Sequence, residues 1–135
     1  MATIEKSGGS GVVKGLDLLF LEVGNLDESL VFYHDSLGFE IESKSPDADP
    51  PIATVRGGRL RITLVQQPET MLKRGRGVHF VLGVGDVDNY YRELTERGVK
   101  VSRPADEGWG GRFIAVRDPD SYRLFFVTWE GEQKK

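Results

Sequence analysis

The sequence predicts an α+β fold of paired βαβββ modules, their strands forming a curled mixed sheet around a shared cleft. Three observations carry this expectation. Leu21-Glu22-Val23-Gly24-Asn25-Leu26-Asp27 is echoed by Leu82-Gly83-Val84-Gly85-Asp86-Val87-Asp88, an offset of 61 residues (21 to 82) in a chain of 135. Each copy runs on into a stretch of helical apolar spacing that stops at a glycine, Gly38 and Gly98. Short apolar runs separated by turn residues follow each glycine. A unit repeated once implies two modules that bury their faces against each other, and their junction is where a ligand is expected.

The elements follow in order. Leu16 to Val23, apolar except at Asp17 and Glu22 and bounded by Gly15 and Gly24, reads as a buried strand. Asn25 or Asp27 caps a helix from Asp27 to Leu37, in which Leu30, Val31, Tyr33 and Leu37 recur at helical spacing. Phe39 to Ser43 returns to strand, and Ser45 to Pro51, with three prolines, is a loop. Ile52 to Arg56 and Leu60 to Gln66 form a hairpin around Gly57-Gly58.

The second module repeats the order. Strand Val78 to Val84 leads to a cap at Asp86 or Asp88 and a helix to Arg97, with Tyr90, Tyr91 and Leu94 on its apolar face. Strand Val99 to Ser102 precedes a glycine-rich loop from Pro104 to Gly111. Strands Arg112 to Arg117 and Tyr122 to Trp129 are then joined by the turn Asp118-Pro119-Asp120-Ser121. The expected organisation is a leader at 1–14, a single domain at 15–129 and a tail at 130–135. Within the domain, the modules are 15–66 and 78–129, with a link at 67–77.

Composition excludes several classes. Hydrophobic residues make up 39% and charged residues 29%, and no apolar run approaches the roughly 20 residues of a membrane span. A net charge of −3 gives no electrostatic footprint for nucleic acid. The basic cluster Lys73-Arg74-Gly75-Arg76 reads as a solvated connecting loop. With no cysteine there is neither a disulfide framework nor a thiolate nucleophile. No Ser-His-Asp order or dinucleotide fingerprint is present, and Gly108 to Gly111 does not lead from a strand into a helix. Cytoplasmic residence is expected, with no nucleic-acid or membrane partner.

Three segments resemble the vicinal oxygen chelate superfamily, which includes glyoxalase I, extradiol dioxygenases and bleomycin-binding proteins. They are Val23 to Glu40 (V-G-N-L-D-E-S-L-V-F-Y-H-D-S-L-G-F-E), His79 to Asp88 (H-F-V-L-G-V-G-D-V-D) and Asp118 to Val127 (D-P-D-S-Y-R-L-F-F-V). The resemblance covers about residues 16 to 129 and implies the glyoxalase/bleomycin-resistance fold. It leaves the activity open, since the superfamily hosts lyases, isomerases, dioxygenases and pure binding proteins. It also implies a homodimer, with or without exchange of modules across the link.

Metal-using members bring side chains from four strands to one divalent ion. Counting from the motifs, the first-strand positions are Leu18 and His79, the position near the chain end is Phe125, and the remaining one is Arg61 or Thr63. Leucine and phenylalanine cannot coordinate an ion, and a guanidinium would repel one. No metal or cofactor is therefore assigned. His79 with Glu22 and a water is the residual alternative, while His34, on the outer helix, reads as solvated.

Strand alternation sorts the side chains into two sets. Leu19, Leu21, Val23, Phe80, Leu82, Val84, Leu124 and Phe126 pack under the helices. Leu18, Phe20, Glu22, His79, Val81, Gly83, Phe113, Ala115, Arg117, Phe125, Val127 and Trp129 face the other way. That second set is aromatic and apolar with a few polar groups, as a pocket for a planar organic ligand is. Trp109, flanked by glycines, is expected to close over the ligand, with Arg112 near an anionic group.

The sequence therefore points to metal-independent binding of a small aromatic or planar molecule, as in bleomycin-type resistance proteins. The ligand-binding candidates are Phe20, Glu22, His79, Trp109, Arg112, Phe113, Phe125 and Trp129. The alternative is a glyoxalase-like lyase or isomerase, or a dioxygenase-related enzyme, with a non-standard or metal-free site, in which Glu22 or His79 moves a proton.

Overall fold

A computed structural model describes residues 11–67, 74–75, 77–108 and 110–129. The expected leader up to residue 10, most of the link, Trp109 and the tail lie outside the described residues.

The first module comprises β1 (Leu19–Val23), α1 (Leu26–Leu30) continuing as a π-helical segment (Val31–Ser36), β2 (Glu40–Ser45), β3 (Ile52–Gly57) and β4 (Leu60–Gln66). The second comprises β5 (His79–Gly83), α2 (Val87–Glu96), β6 (Ala105–Asp106), β7 (Gly111–Arg117) and β8 (Arg123–Trp129). The sheets are ordered β1-β4-β3-β2 and β5-β8-β7-β6, so the repeat seen in the sequence is a repeat of topology. In each, the first strand lies parallel to the last and the remaining pairs are antiparallel.

Local chemistry sets the helix ends. Asn25 and Asp86, not Asp27 and Asp88, are the caps, accepting from the backbone N–H of Glu28 at 2.9 Å and of Asn89 at 3.1 Å. Gly38 and Gly98 end the helical stretches at φ 92° and 82°, backbone that residues with a Cβ rarely adopt.

Three local expectations are corrected. Leu16 to Leu18 are not strand: the parallel ladder with β4 begins only at Leu19, opposite Ile62, and Leu16 and Leu18 are exposed. Val99 to Ser102 also form no strand. Ser102 accepts the Ala115 N–H with its side-chain oxygen at 2.8 Å, replacing a rung of the backbone ladder. The short β6 pairs instead, inside the segment expected to be loop. Finally, Arg74 is not a solvated loop residue. Its guanidinium is only 11% exposed and donates to Asp120 at 3.1 Å and to the Gln67 carbonyl.

One hydrophobic cluster spans both modules, built on their helix-facing sides from Val23, Tyr33, Val55, Ile62 and Leu64 with Leu94, Ile114 and Leu124. Each residue expected under the helices is buried or packed against that cluster. Polar contacts cross the seam. Tyr33 Oη donates to Asp118 at 2.8 Å, Gly24 N to Asp120 at 2.9 Å and Tyr90 Oη to the Leu37 carbonyl at 2.9 Å. The Asp118–Ser121 turn thus docks on the V-G-N motif of the other module. Among the described residues no helix is long and apolar enough to cross a membrane.

Candidate functional site

Packing through the helix sides leaves the opposite faces of both sheets open. On the second sheet, His79 is exposed, while Phe113 and Phe125 are half-buried. The Phe125 ring lies 5.5 Å from the His79 imidazole and 5.7 Å from the Phe113 ring, so the three form an unbroken aromatic row across β5, β8 and β7. Val81, 56% exposed, pairs in register with Phe125, and Trp129 lies further along β8. Val127 shares this face yet is fully buried, beside its register partner Phe113. At Gly83 an added Cβ would meet nothing, so the floor is low there.

On the first sheet, Phe20 is 64% exposed and Glu22 is also exposed. Behind them, Thr63 and Thr54 share a 2.8 Å hydroxyl contact, and Glu42 binds Arg56 at 2.9 Å and Arg61 at 3.0 Å. Of the two positions left open for a metal ligand, Arg61 is thus engaged by a carboxylate and Thr63 by a hydroxyl.

The structure brings His79, Phe113, Phe125 and Trp129 to one face and holds Phe20 and Glu22 on the other sheet. It does not bring Arg112 to them. The guanidinium turns to the helix side, where its Nε and Nη2 straddle the Asp88 carboxylate at 3.0–3.2 Å and Nη1 reaches Asp106 at 3.1 Å. These bonds hold the Asp88 carboxyl below its usual range and make the guanidinium still harder to deprotonate. An anion beside Arg112 would have to displace two carboxylates. His34 is half-exposed, its Nδ1 at 2.7 Å from the Phe39 carbonyl.

Strongly perturbed ionisation occurs at the seam. Burial pushes the Asp118 carboxyl up to about 6, although Tyr33 Oη and two backbone N–H groups donate to it. Burial and that carboxylate raise the Tyr33 phenol well above its ordinary value. Tyr90, also desolvated, rises to about 12. These groups lock the modules together, and Tyr33 and Asp118 are buried away from both open faces.

The donor set does not fit a divalent metal. Among the described residues no three of His, Asp and Glu come together, and His79 has Phe125 where a carboxylate would be needed.

Two grooves accompany this layout. One, of about 460 Å³, lies at the seam between the β3–β4 turn and β5, with Phe39, Leu60, Val81 and Tyr90 in its lining. The other, of about 510 Å³, lies on the open face of the second sheet and includes Phe125, Arg117, Arg123, Lys100 and Ser102. Alternation reaches Arg123, two residues before Phe125 on the same face, but Arg123 was not among the candidates drawn from the sequence. Lys100 and Ser102 carry no local signal, because they reach the groove only as the extended segment runs beside β7.

Known proteins with this arrangement are recognisable. The chain is 33% identical over 118 residues to a probable lactoylglutathione lyase from Synechocystis sp., covering 79% of this chain and 89% of that one. The antibiotic binding protein TnmS3 from Streptomyces sp. CB03234 has a similar structure, with a TM-score of 0.73 and 26% identity over 87% of this chain and 98% of that one. A glyoxalase/bleomycin resistance protein/dioxygenase superfamily member from Sphaerobacter thermophilus gives a TM-score of 0.69 at 28% identity, with 86% and 98% covered. The family model for the glyoxalase/bleomycin resistance protein/dioxygenase superfamily matches residues 15–126, and the chain belongs to that superfamily.

Proposed function

We propose that this protein binds a small planar organic molecule on the open face of its second sheet, without a metal ion, and that a second copy covers the face. The aromatic row His79–Phe125–Phe113 carries the reading, because three tilted rings in mutual contact beside an exposed Val81 offer an apolar surface on which a planar molecule can lie. The likeness to an antibiotic binding protein supports it. Phe20 and Val81, on the edge strands β1 and β5, are 64% and 56% exposed. Apolar side chains so placed suit a copy of the same chain, with Phe20 and Glu22 of one subunit set over the aromatic row of the other.

A thermal-shift and fluorescence screen of aromatic antibiotics tests the ligand reading. Stabilisation by a compound that is recovered unchanged is the expected outcome. Chemical conversion of the bound compound would overturn it. Light scattering of the wild type and Phe20→Lys tests the second copy: a dimer that becomes a monomer supports it, and a monomeric wild type refutes it.

The name of the Synechocystis relative favours a second reading, a lyase acting on a glutathione hemithioacetal. The donor set argues against its metal-dependent form. Turnover of that substrate on adding a divalent ion would replace the first reading with the second.

A further inference from the structure

We infer that the open face of the second sheet selects anionic ligands, an aromatic carboxylate or phosphate ester lying on Phe125 with its charge held by Arg117 and Arg123; this rests on the binding reading above. The side chains of β5, β8 and β7 fall in register, with His79 opposite Arg123 and Arg123 opposite Arg117. One end of the aromatic face is therefore a row of three basic residues, and the next row carries Val81, Phe125 and Ala115. Lys100 approaches from the segment beside β7, and the groove they share has a volume of about 510 Å³, within the range of sites for drug-sized molecules.

Two arginines directly opposite each other on neighbouring strands repel, and proteins ordinarily relieve such a pair with a carboxylate. Here none does. Among the described residues no carboxylate pairs with Lys100, Arg117 or Arg123. The acids nearest in sequence are committed elsewhere, Asp118 to Tyr33 and Asp120 to Arg74 and the Gly24 N–H. Alternation places no acid on this face of β5, β7 or β8. In a chain of net charge −3, this basic row beside the aromatic surface thus meets no neutralising carboxylate among the described residues. Guanidinium groups bind carboxylate and phosphate oxygens in pairs, and a ring on Phe125 fixes how far from them the anion sits.

The test compares naphthoate, naphthyl phosphate and the neutral naphthamide as probes of the full chain by calorimetry, at low and high salt. Either anion is expected to bind at least about tenfold tighter than the amide. That advantage should shrink in high salt. In the double variant Arg117→Gln/Arg123→Gln the advantage should vanish while amide affinity stays unchanged. Which anion gains more distinguishes a carboxylate from a phosphate ligand. Equal affinity for all three overturns the anion preference and leaves aromatic binding standing. Binding of none overturns both. Because the two arginines repel and pair with no carboxylate among the described residues, the variant should melt at or above the wild-type temperature. If it loses dimerisation instead of anion preference, the basic row serves the interface and the inference fails.

Discussion

Tyr33 Oη donates a 2.8 Å hydrogen bond to Asp118 Oδ2, joining the helical segment of the first module to the β7–β8 turn of the second inside the shared core. Tyr33 has no exposed surface and Asp118 only 5%. Water cannot replace either partner. Tyr33→Phe keeps the ring and its edge contacts with Phe32 and Phe39 but leaves a buried carboxyl short of one donor. A loss of about 1–3 kcal/mol is expected in urea denaturation. An unchanged midpoint would show that the bond contributes nothing to the docking of the modules.

The same carboxyl makes stability depend on pH with an unusual sign. Its value in the folded protein, about 6, lies above the 3.8 of an ordinary aspartate, chiefly through burial, so between these values the folded state holds a proton that the unfolded state has released. Stability from this group is therefore complete below about pH 4 and is lost as pH rises through about 6, on the order of 2–3 kcal/mol. Asp118→Asn should flatten the melting temperature across that window. A wild-type melting temperature that rose from pH 4 to 6 with the same slope in both proteins would refute the assignment.

Ser121 takes φ 70° at the end of the Asp118–Ser121 turn, a left-handed backbone that costs a residue with a Cβ energy. Ser121→Gly is expected to stabilise the protein by up to about 1 kcal/mol. Gly75 has the opposite constraint, since a Cβ there would collide with the Ser121 carbonyl. Gly75→Ala should push the link off the turn, break the Arg74–Asp120 pair and cost at least about 2 kcal/mol. Thermal melts of both variants check the two signs together.

Arg112 and Phe125 separate scaffold from site. Arg112→Gln should lower stability modestly, by about 0.5–1 kcal/mol given its partial exposure, and leave naphthoate affinity unchanged. Phe125→Leu should do the reverse, weakening every aromatic probe about tenfold with little effect on the fold. Calorimetry on both variants would contradict this layout if Arg112 proved the more damaging to binding.

Much of this molecule was determined by local rules. The repeat of Val23-Gly24 and Val84-Gly85, the alternation along each strand and the positive-φ glycines after the helices specify two sheets of the same strand order, because each follows from backbone sterics and one-sided burial. The same alternation placed His79, Phe113, Phe125 and Trp129 on one face. Only the tertiary structure decided what closed on what. Arg112 and Asp88 are 24 residues apart and meet because β7 packs under α2, which no spacing rule shows. Arg74 found Asp120 across 46 residues, so that one member of an apparent surface cluster became a buried brace. The basic row of His79, Arg123 and Arg117 exists only once β5, β8 and β7 are in register, since strand pairing converts distant positions into neighbours and its outcome depends on the whole sheet.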